Sequence, residues 1–284
     1  MNYRHYIKYT FTLFLLGFLS VAFADVGGFP ETQDGDPRHV RSKSSPSWLE
    51  AIGKIVTTNG AALAEACSVS LIADSPEKDG VIIVGAGHCV DHWASGNGGF
   101  AVGKHSITWT SSGGVAVKRT VAQIIEAEMV PGDYFIAKLD ASIPRTSIKP
   151  LLNAPYDYFD MLDEEIFGVE AGGPFDPYAT MAGFSADTGL GQKGEVLTYH
   201  ERCRLNGGER GLKQGYCYSY SGASGGPVVV TAALDDMSDE EWQTGTQNYF
   251  VGSIVGARSS DNSKTMFTEA THYATTLDSI LATH

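Results

Sequence analysis

The chain has 284 residues, 43% hydrophobic and 19% charged, with 33 glycines and 11 prolines. That composition excludes a disordered or fibrous protein, and the length suits one large domain or two small ones around a sizeable core. A formal net charge of −13 argues against nucleic acid as a partner, since neutralising phosphate needs a basic face.

Residues 1–24 open with the cations Arg4 and Lys8, continue as the apolar run FTLFLLGFLSVAFA (11–24), and end in the small-x-small pattern Ala22-Phe23-Ala24. They read as a secretory signal peptide cleaved before Asp25, because the run is shorter than the ~20 residues of a membrane span. The mature chain is therefore expected to be secreted or periplasmic, without membrane attachment. Residues 25–47 are polar, rich in Gly, Pro and Ser, and lack an apolar period. They read as a linker or pro-segment, with RHVRSK (38–43) as a cleavable stretch.

From Ser47 onward, short apolar or alternating runs predict strands at 51–56, 67–73, 81–86, 114–118 and 133–139. A second set falls at 165–169, 178–184, 195–199, 227–231, 249–256 and 265–268. Many short strands without βαβ alternation predict an all-β sandwich or barrel. Residues 141–156, with three prolines, read as the connection between two β domains, 48–145 and 146–284. The stretch 268–283 predicts a helix with Tyr273, Leu277, Ile280 and Leu281 on one face. The acidic run DDMSDEEW (235–242) lacks the spacing of a calcium loop and reads as solvated. The four cysteines, Cys67, Cys89, Cys203 and Cys217, allow three pairings, and the local pairs Cys67–Cys89 and Cys203–Cys217 are expected. No cysteine–histidine spacing suggests zinc, and no metal or cofactor is expected.

The chemistry gathers around YCYSYSGASGGPVVV (216–230), where Ser224 lies among small residues. A serine hydroxyl attacks a carbonyl only when a base takes its proton and N–H donors stabilise the oxyanion. Glycines permit the turn that aims two backbone N–H groups at one point, and the donors expected here are those of Gly222 and Ser224. The same residues fit Gly-x-Ser-x-Gly, the nucleophile elbow of an α/β-hydrolase esterase. That elbow needs a helix after it, and Pro227 with three valines opposes one. A base and an orienting acid are candidates upstream. His88 ends the apolar run VIIVGAGHCV (81–90), and Asp133 opens PGDYFIAKL (131–139).

With GAGHCV, GDYFIAKL and SGASGGPVV in that order, the chain resembles the chymotrypsin-like (trypsin-like) serine peptidases of bacterial secreted type. AIGKI (51–55) and CSVSLIA (67–73) resemble the first strands of their N-terminal barrel. The resemblance spans about residue 48 to the C-terminal helix and implies two six-stranded antiparallel β-barrels, 48–145 and 146–284, with the site in the cleft between them. It implies Ser224 as nucleophile, His88 as general base and acid, Asp133 as orienting acid, and a protein or peptide substrate. Cys67–Cys89 would brace His88, and Cys203–Cys217 would close a loop beside the substrate pocket. The chain departs from the family at Ala223, which cannot ion-pair with a freed N-terminus. It also carries no acid at the pocket base, where Tyr218 stands; Arg258 falls on the expected pocket wall. A peptidase-fold binding protein without turnover is the alternative reading.

Overall fold

The computed structural model describes residues 29–58, 64–90, 102–103, 106–129, 131–154, 178–206, 212–232, 247–258 and 261–284. The signal sequence, the strand expected at 165–169 and the acidic run at 235–242 lie outside the described residues. The first half contributes β1 (His39–Val40), β2 (Ile52–Thr58), β3 (Ala64–Ala73), β4 (Gly80–Gly85), β5 (Ser106–Thr110), β6 (Ala116–Glu128), β7 (Tyr134–Ile143) and β8 (Leu151–Asn153). The second contributes β9 (Tyr178–Gly183), β10 (Thr198–Cys203), β11 (Leu205–Asn206), β12 (Leu212–Gly215), β13 (Pro227–Ala232), β14 (Gln247–Arg258), β15 (Asp261–Glu269) and the helix α1 (Ala274–Leu281).

Strands β2 to β7 close on themselves. β3 pairs with β2 and β4, and β5, β6 and β7 complete the circuit, every contact antiparallel. Leu71, Ile83, Trp109 and Phe135 fill the interior with almost no exposure, each contributing about 1.5–3 kcal/mol by leaving water. The Trp109 indole N–H is satisfied by the Ala51 carbonyl at 3.1 Å. β5 was not expected. In SITWT only Ile107 and Trp109 face inward, and the flanking hydroxyl residues mask the alternation.

The second half is also antiparallel and continues through β10, β9, β13, β14, β15 and β12. One residue, Arg204, separates β10 from β11, which pairs with β12 and brings the circuit round to a second closed barrel. The architecture is therefore all-β with two six-stranded barrels. β8 lies in the proline-rich connection and pairs in parallel with β3 on one side and β14 on the other, so the connection is itself a strand shared by both barrels. The C-terminal helix starts later than expected. Thr268 is paired to Leu212 and Ser253 on its two sides, which holds the chain extended through Glu269. A 3₁₀ turn at Ala270–Tyr273 then leads into α1. Tyr273, Leu277 and Leu281 are buried as the periodicity expected, and Ile280 is half-buried.

Residues 29–47, read from sequence as a linker or pro-segment, are docked on the second barrel. β1 pairs with β10 through His39–Tyr199 and Val40–Thr198, and the Thr188 N–H donates to the Pro30 carbonyl at 2.9 Å. The segment has no apolar period because buried polar groups fix it, as described below.

Candidate active site

β4 ends at Gly85, and the chain folds into a turn in which Cys89 and Val90 donate to the Ala86 and Gly87 carbonyls. His88 opens this turn, and the Cys67–Cys89 disulfide ties the turn to β3. The turn before β7 carries Asp133 at φ +48°, a left-handed conformation that aspartate tolerates better than most residues. The Asp133 N–H donates to the Met129 carbonyl, the Gly132 N–H to Glu128 Oε1 at 3.2 Å, and the Thr268 hydroxyl to the Gly132 carbonyl. Thus β15 clamps the acidic turn from the other barrel.

These turns place His88 Nδ1 2.9 Å from Asp133 Oδ2 and 3.2 Å from Oδ1. The His88 backbone N–H also donates to Asp133 Oδ1, at 2.7 Å. The Asp133 side chain is 9% exposed, while the imidazole is partly open to solvent. An almost buried carboxylate accepting from Nδ1–H leaves Nε2 as the lone-pair nitrogen, the tautomer that can accept a proton.

Ser224 lies in the turn from Tyr220 to Gly226. The Ala223 N–H donates to the Tyr220 carbonyl and the Gly226 N–H to the Ala223 carbonyl. Gly222 sits at φ +91°, and a Cβ there would lie 2.5 Å from the Phe184 carbonyl, so only glycine fits. Among the described residues, neither the Gly222 nor the Ser224 N–H donates to a protein group. Ser68, fully buried on β3, fixes the turn from the first barrel. Its N–H donates to the Ser224 carbonyl at 2.8 Å, its hydroxyl to the Gly222 carbonyl at 2.9 Å, and the Phe184 N–H donates to that hydroxyl. Sequence reading passed over Ser68, since a hydroxyl on an inward strand position carries no signal until its partners are known.

The Ser224 hydroxyl donates to the Val255 carbonyl at 2.9 Å. Val255 is the extra residue of a β-bulge between Ile254 and Gly256, which frees its carbonyl from the ladder. No hydrogen bond joins Ser224 to His88 among the described residues. The structure thus brings His88 and Asp133 into contact and sets Ser224 beside Cys89, but leaves the serine hydroxyl on another acceptor.

Both expected disulfides are present. The Tyr218 N–H donates to His200 Nδ1 at 3.0 Å, with the tyrosine ring edge-on to the imidazole. Arg258 ends β14, and its side chain lies outside the described residues. His200 has a lowered pKa because burial disfavours its charged form, with His39 and Arg38 adding to the effect and Asp36 opposing it. Its neutral form is favoured in the folded chain. The stability this carries is complete above the ordinary value of 6.5 and is lost as pH falls toward the depressed one. His200→Asn keeps an acceptor for the Tyr218 N–H and cannot be protonated. Between pH 7 and pH 5 its Tm is expected to fall less steeply than that of the wild type. Parallel slopes in thermal melts would refute this.

No family model and no curated protein matches the chain. Solved structures do. A Glu endopeptidase matches with a TM-score of 0.53 at 16% identity, over 88% of this chain and 98% of its own. GrC matches with a TM-score of 0.53 at 13% identity, over 84% of this chain and 96% of its own. The scabies mite inactivated protease paralogue S-D1 matches with a TM-score of 0.55 at 13% identity, over 87% and 97%. The protein has the chymotrypsin-like fold. His88 and Asp133 lie at the ends of first-barrel strands, and Ser224 lies in a turn that leads into β13 of the second barrel. The neighbours include both a named endopeptidase and a named inactivated paralogue, so fold alone does not decide between turnover and binding.

Proposed function

We propose that the protein is a secreted serine endopeptidase that hydrolyses peptide bonds through an acyl-enzyme. The observation that carries this reading is the His88–Asp133 pair. Two side-chain contacts and a backbone N–H fix the carboxylate on Nδ1 and leave Nε2 facing away from it. Ser224 leaves the Val255 carbonyl by rotation about χ1 and donates to Nε2. Its oxygen attacks the scissile carbonyl as Nε2 takes the proton, and the Gly222 and Ser224 N–H groups receive the oxyanion. The imidazolium, stabilised by Asp133, protonates the leaving amine as the C–N bond breaks. Water then attacks the acyl ester by the same route, and Ser224 recovers its proton. Tyr218, taken as the pocket base, would contact the substrate side chain. Two disulfides support an oxidising compartment, and with the leader at 1–24 they support export. Among the described residues no helix is long and apolar enough to cross a membrane.

The hydroxyl held by Val255 favours a second reading, a binding protein on the peptidase fold without turnover. A fluorophosphonate probe separates the two. Peptidase function predicts covalent labelling of the folded wild type, loss of labelling in Ser224→Ala, and loss on heat unfolding. A folded wild type that does not label rules out the nucleophile.

A further inference from the structure

The segment at 29–47 is fixed by a cluster of buried charges. The Arg38 guanidinium donates to Asp36 through Nε at 3.1 and 3.0 Å, and Nη2 lies 2.8 Å from the same carboxylate. Nη2 also reaches Asp187 Oδ1 at 2.9 Å, and Nη1 reaches the Thr198 hydroxyl at 3.1 Å. All three charged side chains are at most 2% exposed. Asp187 also accepts from the Thr32 hydroxyl and from the Gly191 N–H. Burial alone would raise its pKa, but the Thr32, Gly191 and Arg38 contacts outweigh burial and hold it below the ordinary 3.8.

This cluster touches the oxyanion turn at two points. The Arg38 guanidinium lies 4.3 Å from the centre of the Tyr220 ring, and the Tyr220 hydroxyl accepts from the Gln33 N–H at 2.8 Å. Tyr220 is the first residue of the turn that presents Gly222. Next to Asp187, the Ala186 N–H donates to the Ser221 carbonyl at 2.6 Å, and Gly222 packs on the Phe184 carbonyl. The guanidinium therefore joins the loop that supports Gly222 from below to the tyrosine that opens its turn.

We infer that Arg38 is the positioning residue of the oxyanion hole, and that the attached segment at 29–41 is a permanent part of the active enzyme rather than a piece removed to activate it. The inference rests on the serine peptidase reading and deepens it. It supplies an internal ion pair where Ala223 provides no acid for a new N-terminus. It also reverses the sense of the cleavable stretch, because cutting at the exposed Lys43 and losing the segment would switch the enzyme off.

The test is the rate of fluorophosphonate labelling by folded enzyme, since the phosphonyl oxygen needs the same donors as the oxyanion. Folded molecules are counted by the amplitude of the thermal unfolding transition in circular dichroism, and Arg145→Met, a surface change, is the control. Arg38→Met is expected to slow labelling per folded molecule about 10- to 100-fold and to lower kcat with KM unchanged, and Arg38→Lys to slow it less. A folded Arg38→Met that labels at the wild-type rate overturns the inference, as does a loss due wholly to fewer folded molecules. If Arg38→Met does not fold, Arg38→Lys carries the comparison, and equality with wild type again overturns it. Nicking at Lys43 with release of the segment is expected to slow labelling, and faster labelling would contradict the inference. A wild type that never labels fails at the earlier step and refutes the peptidase reading itself.

Discussion

Asp133→Asn is expected to lower kcat by about four orders of magnitude while leaving the fold in place. The geometry dictates the direction of the effect. Asp133 Oδ1 accepts from the His88 backbone N–H at 2.7 Å, so an asparagine must keep its carbonyl oxygen there. Its amide nitrogen then occupies the Oδ2 position, 2.9 Å from Nδ1, and it donates. Nδ1 is forced to accept, the ring proton moves to Nε2, and the imidazole can no longer take a proton from Ser224. The backbone should tolerate the change, because asparagine is among the residues that accept the left-handed φ found here. Steady-state kinetics with a peptide substrate, paired with nitrogen NMR of the His88 tautomer, checks the result. Near wild-type kcat with the proton on Nε2 would remove His88 as the base.

Gly225→Ala is expected to destabilise the protein by about 3–5 kcal/mol, an unusually large effect for adding one methyl group. Gly225 sits at φ +82°, and a Cβ there would lie 2.1 Å from the Ser68 carbonyl and 3.0 Å from the Ala86 nitrogen. Both neighbours are backbone of the first barrel, so no side chain can move aside. Gly114 isolates the conformational part of the cost. It has the same φ of +82° with nothing within 4 Å of the added carbon, so Gly114→Ala should cost only about 1 kcal/mol. Thermal melts of the two variants should therefore differ by roughly 5–15 °C in Tm. Equal losses would show that the barrels can separate at Gly225 without penalty.

The sequence exposed those parts of the candidate site that depend on local chemistry. Gly222, Ser224 and Pro227 lie within six residues, and a glycine-rich turn running into a valine strand is visible in one line of text. His88 and Asp133 each stand at the edge of an apolar run, where a strand must end and a side chain can be aimed. The barrels were legible for the same reason, because β4, β7 and β13 are apolar along most of their length. What escaped was either polar or non-local. β8 is three residues between prolines and becomes a strand only because β3 and β14 flank it. Ser68 acts through partners more than a hundred residues away. Arg38 and Asp187 are 149 residues apart, and each looks like an ordinary surface charge until folding buries both. A segment held by buried ion pairs has no hydrophobic rhythm, so residues 29–47 read as loose chain.

The shared strand β8 constrains how a polypeptide could be gripped. Leu152 is paired with Ala73 on one flank and Tyr249 on the other, so the two lobes cannot swing apart without breaking main-chain pairing at the same residue. On the proposed peptidase reading, a jaw that cannot gape would take its cargo as an extended thread fed along the seam, leaving adjustment to different cargoes to the connecting loops.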